Sequence, residues 1–171
     1  MSKTKPAAAL AAALLIIAPL SAHADAAKDI QIAGRALTFL ENGPTGKQVL
    51  GVVFDPSKPA SVAEKNAVMA AIGGGMNTGA LTLTAKPVEA GAVSGVSGVA
   101  ALYVTTGVNV GAAAKAKKII TIGSDASCAA SGACVMSVSA DPKVEIIVNR
   151  SAAAAVGAVF KSAFRMMIRE V

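Results

Sequence analysis

The 171-residue chain has no tryptophan, one tyrosine and four phenylalanines. Its single histidine is His23, and it has only two cysteines, Cys128 and Cys134. Charged residues make up 15% of it, with no run of five or six like charges. Each scarcity removes a class of function. Nucleic-acid binding calls for a concentrated basic patch with interleaved aromatics, and neither is present. Nucleophilic Ser/His or Cys/His catalysis calls for a histidine in the working protein. Paired-carboxylate chemistry would need two of ten scattered acids to meet in a cleft. The longest apolar run, residues 7–20, falls short of the ~20 residues that span a bilayer.

That run lies in a three-part pattern. Lys3 and Lys5 give a basic start, the apolar stretch follows, and Ser21-Ala22-His23-Ala24 ends it as an Ala-x-Ala cleavage site. This is the pattern of a secretory signal peptide. Residues 1–24 are expected to be removed, His23 among them, leaving 25–171 as one domain with a core of its own. The remaining 14 basic and 10 acidic residues leave a formal charge of +4. The expected location is the periplasm, and the expected protein does not span the membrane. Export also bears on the cysteines, since two cysteines in an oxidising compartment usually pair. Five residues separate Cys128 from Cys134, and Gly132 can bend the loop between them. A disulfide is expected ahead of two free thiols or a metal site, which would need further ligands. No cofactor is implied.

Along the chain, Ile30, Ala33, Leu37 and Leu40 recur at helical spacing, predicting a helix over 29–41 that stops at Asn42-Gly43-Pro44. Gln48–Phe54 reads as a strand covered on both faces. A helix follows over 58–72, with Pro59 in its first turn and Gly73-Gly74-Gly75 ending it. Further strands are expected at 81–86, 99–104 and 119–122, with a helix over 109–117 between the last two. The Gly73–Gly79 stretch is expected to be a cap and loop, and 87–98 a helical turn at most. Beyond the cysteine loop, 134–140 and 143–149 alternate around Asp141-Pro142 as a hairpin. Val144, Ile146 and Val148 are placed on one side of the second arm, with Lys143, Glu145 and Asn149 on the other. Ser151 is the expected cap of a short alanine-rich helix. Phe160, Phe164, Met167, Ile168 and Val171 predict a final helix over 159–171. Alternating strands and helices imply an α/β fold. The expected architecture is a single compact domain, with a mixed, mostly parallel sheet flanked by helices and a C-terminal hairpin and helix.

Gly43-Pro44-Thr45-Gly46-Lys47 fails as a phosphate loop, because it precedes a strand and carries Gln48 where Ser or Thr belongs. Asp55 and Asp125 close predicted strands on the sheet edge where α/β proteins bind ligands. With Thr105 they form the candidate ligand site, although a turn role for Asp55 and a capping role for Asp125 account for both equally. Lys161, Arg165 and Arg169, four residues apart, form the candidate partner-binding face of the final helix. The competing account is a solvated face that suits a helix C-terminus.

The C-terminal third resembles the YfiR-like family of periplasmic proteins. The resemblance rests on Ile119-Ile-Thr-Ile-Gly-Ser-Asp125, Val135-Met136-Ser-Val138, and Val144-Glu-Ile-Ile-Val-Asn149 running into Arg-Ser-Ala-Ala-Ala154. The segment Leu37-Thr-Phe-Leu-Glu-Asn-Gly-Pro44 is similar to the end of that family's first helix, without its Trp before the proline. The resemblance implies a compact periplasmic α/β domain, often a homodimer, with a cysteine pair in this same loop. It also implies a non-enzymatic regulator that binds the periplasmic part of a membrane-anchored sensor such as a diguanylate cyclase. Such a protein would influence cyclic-di-GMP signalling and biofilm formation. The alternative function is a small-solute-binding module serving a transporter.

Overall fold

The structure, a computed structural model, describes residues 21–171. The signal peptide expected over 1–24 therefore lies almost wholly outside the described residues. The first helix, α1 (Ser21–Leu37), carries Ile30, Ala33 and Leu37 on one buried face. It ends four residues earlier than the apolar spacing suggested. Thr38, Phe39 and Leu40 instead make tight turns back onto the Arg35, Ala36 and Leu37 carbonyls. β1 (Gly46–Phe54) follows, then α2 (Pro59–Ile72), stopped by Gly73 at a positive φ of 52°.

The glycine-rich stretch after α2 holds a short strand, β2 (Met76–Asn77), antiparallel to β3 (Leu81–Glu89). β3 runs past Pro87, where the sequence pattern placed a turn. It pairs with β1 along its whole length, while on its other side only Thr82 and Leu83 are paired. A proline is tolerated there because it lacks a donor on an edge that needs none. A 3₁₀ helix (Ala90–Gly95) leads to β4 (Ala101–Val104), α3 (Gly111–Ala116) and β5 (Thr121–Gly123). The cysteine loop contains one helical turn, α4 (Ala126–Ala130). β6 (Met136–Ser139) and β7 (Glu145–Val148) form the antiparallel hairpin. Ile146 and Val148 share one side as expected, facing the core, but Val144 is 61% exposed just outside the paired residues.

One eight-stranded sheet results, in the order β2-β3-β1-β4-β5-β6-β7 followed by the last strand, β8 (Arg169–Glu170). From β3 through β6 the neighbours are parallel. Alternation across the sheet separates two cores. Leu50, Val52, Ala101, Tyr103 and Ile122 pack beneath α1 and α2. Val53, Leu102 and Val104 pack beneath the 3₁₀ helix and α3. This is the expected α/β architecture, with helices covering both faces of a mixed, mostly parallel sheet.

Two expectations at the C-terminal end fail. The cap of α5 (Arg150–Val156) is Asn149, whose side chain accepts from the Ala152 N–H, and Ser151 lies inside the helix. The final helix shrinks to one turn, α6 (Ser162–Arg165). Phe160 instead bridges Leu40, and Phe164 stacks on Phe39 with ring centroids 5.0 Å apart. Residues 169–170 then pair in parallel with β7, satisfying backbone groups that β7 would otherwise leave open at the sheet edge. The four-residue spacing of Phe160, Phe164 and Ile168 does reflect burial, although no continuous helix produces it. Met167, expected in the stripe, is 63% exposed.

Candidate functional site

After β1 the chain passes through α2 to β3 on one side, then returns to β4 on the other side of β1. This reversal places a crevice at the carboxyl ends of β1, β4 and β5, the location at which open α/β sheets bind ligands. The segments meeting there are 105–109 and 123–133, with the turn 55–58 alongside.

Asp55 follows β1, and its carboxylate accepts from the Ser57 N–H at 2.9 Å and the Ser57 hydroxyl at 2.6 Å. Lys58 stands 3.6 Å away. The Ser57 hydroxyl leads the contacts that hold this carboxyl below the usual aspartate range. Asp55 thus builds a turn and does not line the crevice. Its own N–H donates to Ser61 Oγ at 2.9 Å. Ser61 and Thr105 hydroxyls are 2.6 Å apart, and Thr105 donates to the Val53 carbonyl at 3.0 Å. Ser61 is therefore the donor to Thr105, and the chain of bonds closes back on β1. Both residues are buried, so the Thr105 hydroxyl is committed to joining α2 with the sheet.

Asp125 follows β5. One carboxylate oxygen accepts from the Ser127 N–H at 2.8 Å and caps α4. Asp125 and Thr105 both border a cleft of ≈ 260 Å³ between the loop after β4 and the cysteine loop. Its other walls include Val108, Asn109, Ser127 and Cys128. The disulfide Cys128–Cys134, with Cα atoms 5.1 Å apart, holds one wall by tying α4 to the start of β6. It lies over Gly123, where a Cβ would sit 3.4 Å from Cys134 Sγ. Of the three proposed ligand residues, the fold thus brings two to the cleft and leaves Asp55 in a turn alongside.

Sequence reasoning missed Glu64. It lies three residues after Ser61 on the same face of α2, and so points to the same end of the sheet. Its carboxylate accepts from the Tyr103 hydroxyl at 2.7 Å, the Ser124 hydroxyl at 2.9 Å and the Thr106 N–H at 2.7 Å. One side chain thereby fixes β4, the loop after it and the end of β5. Tyr103 is only 3% exposed. Burial, and then the Glu64 charge, push its phenol well above the ordinary value. The available signal was a lone acid, the single one in α2, in a helix otherwise made mostly of apolar and small residues.

Lys161, Arg165 and Arg169 do not share a helical face. Lys161 precedes α6, Arg165 lies within it and Arg169 begins β8. Each has its own partner. Lys161 Nζ donates to the Thr38 carbonyl at 3.4 Å, Arg165 forms a two-pronged pair with Glu170 at 2.7 and 3.0 Å, and Arg169 stands 3.3 Å from Glu145. Among the described residues no group of three His, Cys, Asp or Glu could hold a metal. None of their helices is long and apolar enough to cross a membrane.

No known family model matches the chain, and no curated protein does. Its fold is shared with solved structures. One is a conserved domain protein from Vibrio cholerae, at 12% identity and a TM-score of 0.57, covering 85% of this chain and 59% of that one. Another is the ligand-free, open structure of a substrate-binding protein with adhesive properties from Clostridium difficile. It aligns at 14% identity and a TM-score of 0.56, covering 84% of this chain and 58% of that one. The chain therefore spans under two thirds of either, and at such identities the likeness establishes the α/β fold alone.

Proposed function

We propose that this chain is an exported, non-enzymatic binding module that takes a small polar solute in the cleft between the loops after β4 and β5. The observation that carries this reading is the cleft itself, at the carboxyl edge of the sheet beside the strand-order reversal. Its walls are braced on one side by Glu64 and on the other by the disulfide. The likeness in fold to a substrate-binding protein supports the same reading. A thermal-shift screen of small polar metabolites tests it. A ligand at one hundred times its Kd stabilises by about 2.7 kcal/mol. Ser127→Trp, which fills the cleft from an exposed helical position, should abolish the shift. A screen with no stabilising solute, or a shift that survives Ser127→Trp, overturns the reading.

A second reading is a regulator that contacts a membrane-anchored sensor such as a diguanylate cyclase. It is supported by the YfiR-like resemblance over 118–158 and by Met166, 83% exposed, and its neighbour Met167 on the C-terminal segment. Pulldown from a membrane extract should recover such a sensor, and Met166→Asp/Met167→Asp should lose it. Recovery of no membrane protein removes this reading. Both readings place the protein in the periplasm after cleavage at Ala24, which N-terminal sequencing of the exported protein tests.

A further inference from the structure

Resting on the solute-binding reading, we infer that the ligand carries a protonated primary amine on a short aliphatic chain, held by the Asp125 carboxylate. Asp125 is the only charged side chain among the residues that line the cleft. One of its oxygens caps α4 through the Ser127 N–H. The other has no partner among the described residues. The nearby cation cannot neutralise it, because Lys58 is spent on Asp55 and on the Gly107 carbonyl at 2.6 Å. A second carboxylate, Glu64, backs the Thr106 peptide on the cleft wall and adds to the negative field. Two lining hydroxyls, Thr106 and Ser127, are likewise uncommitted among the described residues, so three acceptor oxygens border the space. An ammonium has three donors and no acceptor.

The same geometry argues against an anion. The Ser127 N–H already bonds the Asp125 carboxylate and the Cys128 N–H its carbonyl, and any anion would meet the Asp125 charge. Val104, Val108 and Ala133 supply apolar wall for a hydrocarbon stem. At ≈ 260 Å³ the space is smaller than the ~300–1,000 Å³ typical of drug-sized ligands, which favours a short one.

The test uses three probes of one size, n-butylammonium, n-butanol and butanoate, titrated into the ¹⁵N-labelled protein and followed by amide shifts. The expected result is saturable movement of amides in 105–109 and 123–128 with n-butylammonium. A charge-assisted bond predicts binding about 10- to 100-fold weaker for n-butanol, and none for butanoate. Asp125→Asn is the decisive variant. Asparagine caps a helix as well as aspartate does, so α4 is retained while the charge is removed. Its affinity for n-butylammonium should fall by the same factor. Equal binding of n-butanol, or unchanged amine binding by Asp125→Asn, overturns the amine inference and leaves the cleft as a site for neutral solutes. If none of the probes moves these amides, the amine inference falls. If the metabolite screen is blank as well, the solute-binding reading falls with it.

Discussion

Replacing Glu64 with alanine tests the clamp at the carboxyl edge of the sheet. The substitution removes the acceptor from three donors at once. The Tyr103 hydroxyl is the costly one, because a buried donor left unpaired costs about 1–3 kcal/mol. Ser124 and the Thr106 N–H lie near solvent and can turn to water, so each costs at most about 0.5–1 kcal/mol. The expected loss is about 1–5 kcal/mol, which for a domain of this size lowers Tm by about 2–20 °C. Circular dichroism melts measure it. A double-mutant cycle with Tyr103→Phe separates the clamp from general damage. Removing the phenol as well as the carboxylate leaves no buried donor orphaned, since Ser124 and the Thr106 N–H can turn to water, so the double mutant should be at least about 1 kcal/mol more stable than additivity predicts. A Glu64→Ala melt within about 1 °C of the parent, or a cycle with no coupling, would refute the reasoning.

Three further outcomes follow from the structure. Reducing the disulfide should cost about 2–2.5 kcal/mol by loop entropy, lowering Tm by about 4–10 °C, and an unchanged melt under reductant would count against a structural staple. Tyr103 is the sole tyrosine and there is no tryptophan, so absorbance at 295 nm reports one residue. Its folded pKa lies above the unfolded ~10, so its contribution to stability is complete below about pH 10 and is lost as pH rises through the folded value. Ionisation should therefore begin above the pH at which the urea-unfolded chain titrates, and reversible titration near pH 10 with the fold intact would contradict this. Lys118 sits at φ 54° just past α3, where its N–H bonds the Lys115 carbonyl and that of Ile119 bonds Ala114, a position suited to glycine. Lys118→Gly should gain about 0.5–1 kcal/mol and raise Tm by about 1–4 °C in a thermal melt.

Much of the architecture could be read from local pattern. The apolar run of β1, Pro59 and Gly73 bracketing α2, and the alternating arms of the hairpin each carry a signal within a dozen residues. The tail does not. Phe160, Phe164 and Ile168 have helical spacing, but their burial comes from partners more than a hundred residues away in α1 and its exit turn, or from β7. At the site, the strand ends predicted the position of the crevice and two of its residues. Asp55 was indistinguishable from a ligand residue because turn aspartates and binding aspartates occupy the same strand ends. Glu64 was invisible because a helical glutamate is ordinarily solvated, and only the packing of α2 across β4 shows what it accepts.

The first and last elements interlock. Phe39 stacks on Phe164, Leu40 bridges Phe160, the Glu41 N–H bonds the Val159 carbonyl and the Lys161 N–H bonds the Phe39 carbonyl. A chain emerging from its amino end must hold α1 without this partner until residues 159–164 have been made. Such distant closure slows folding, because the entropy of the large loop is lost before the contact forms. The domain thus carries a built-in delay between synthesis and its final compact state.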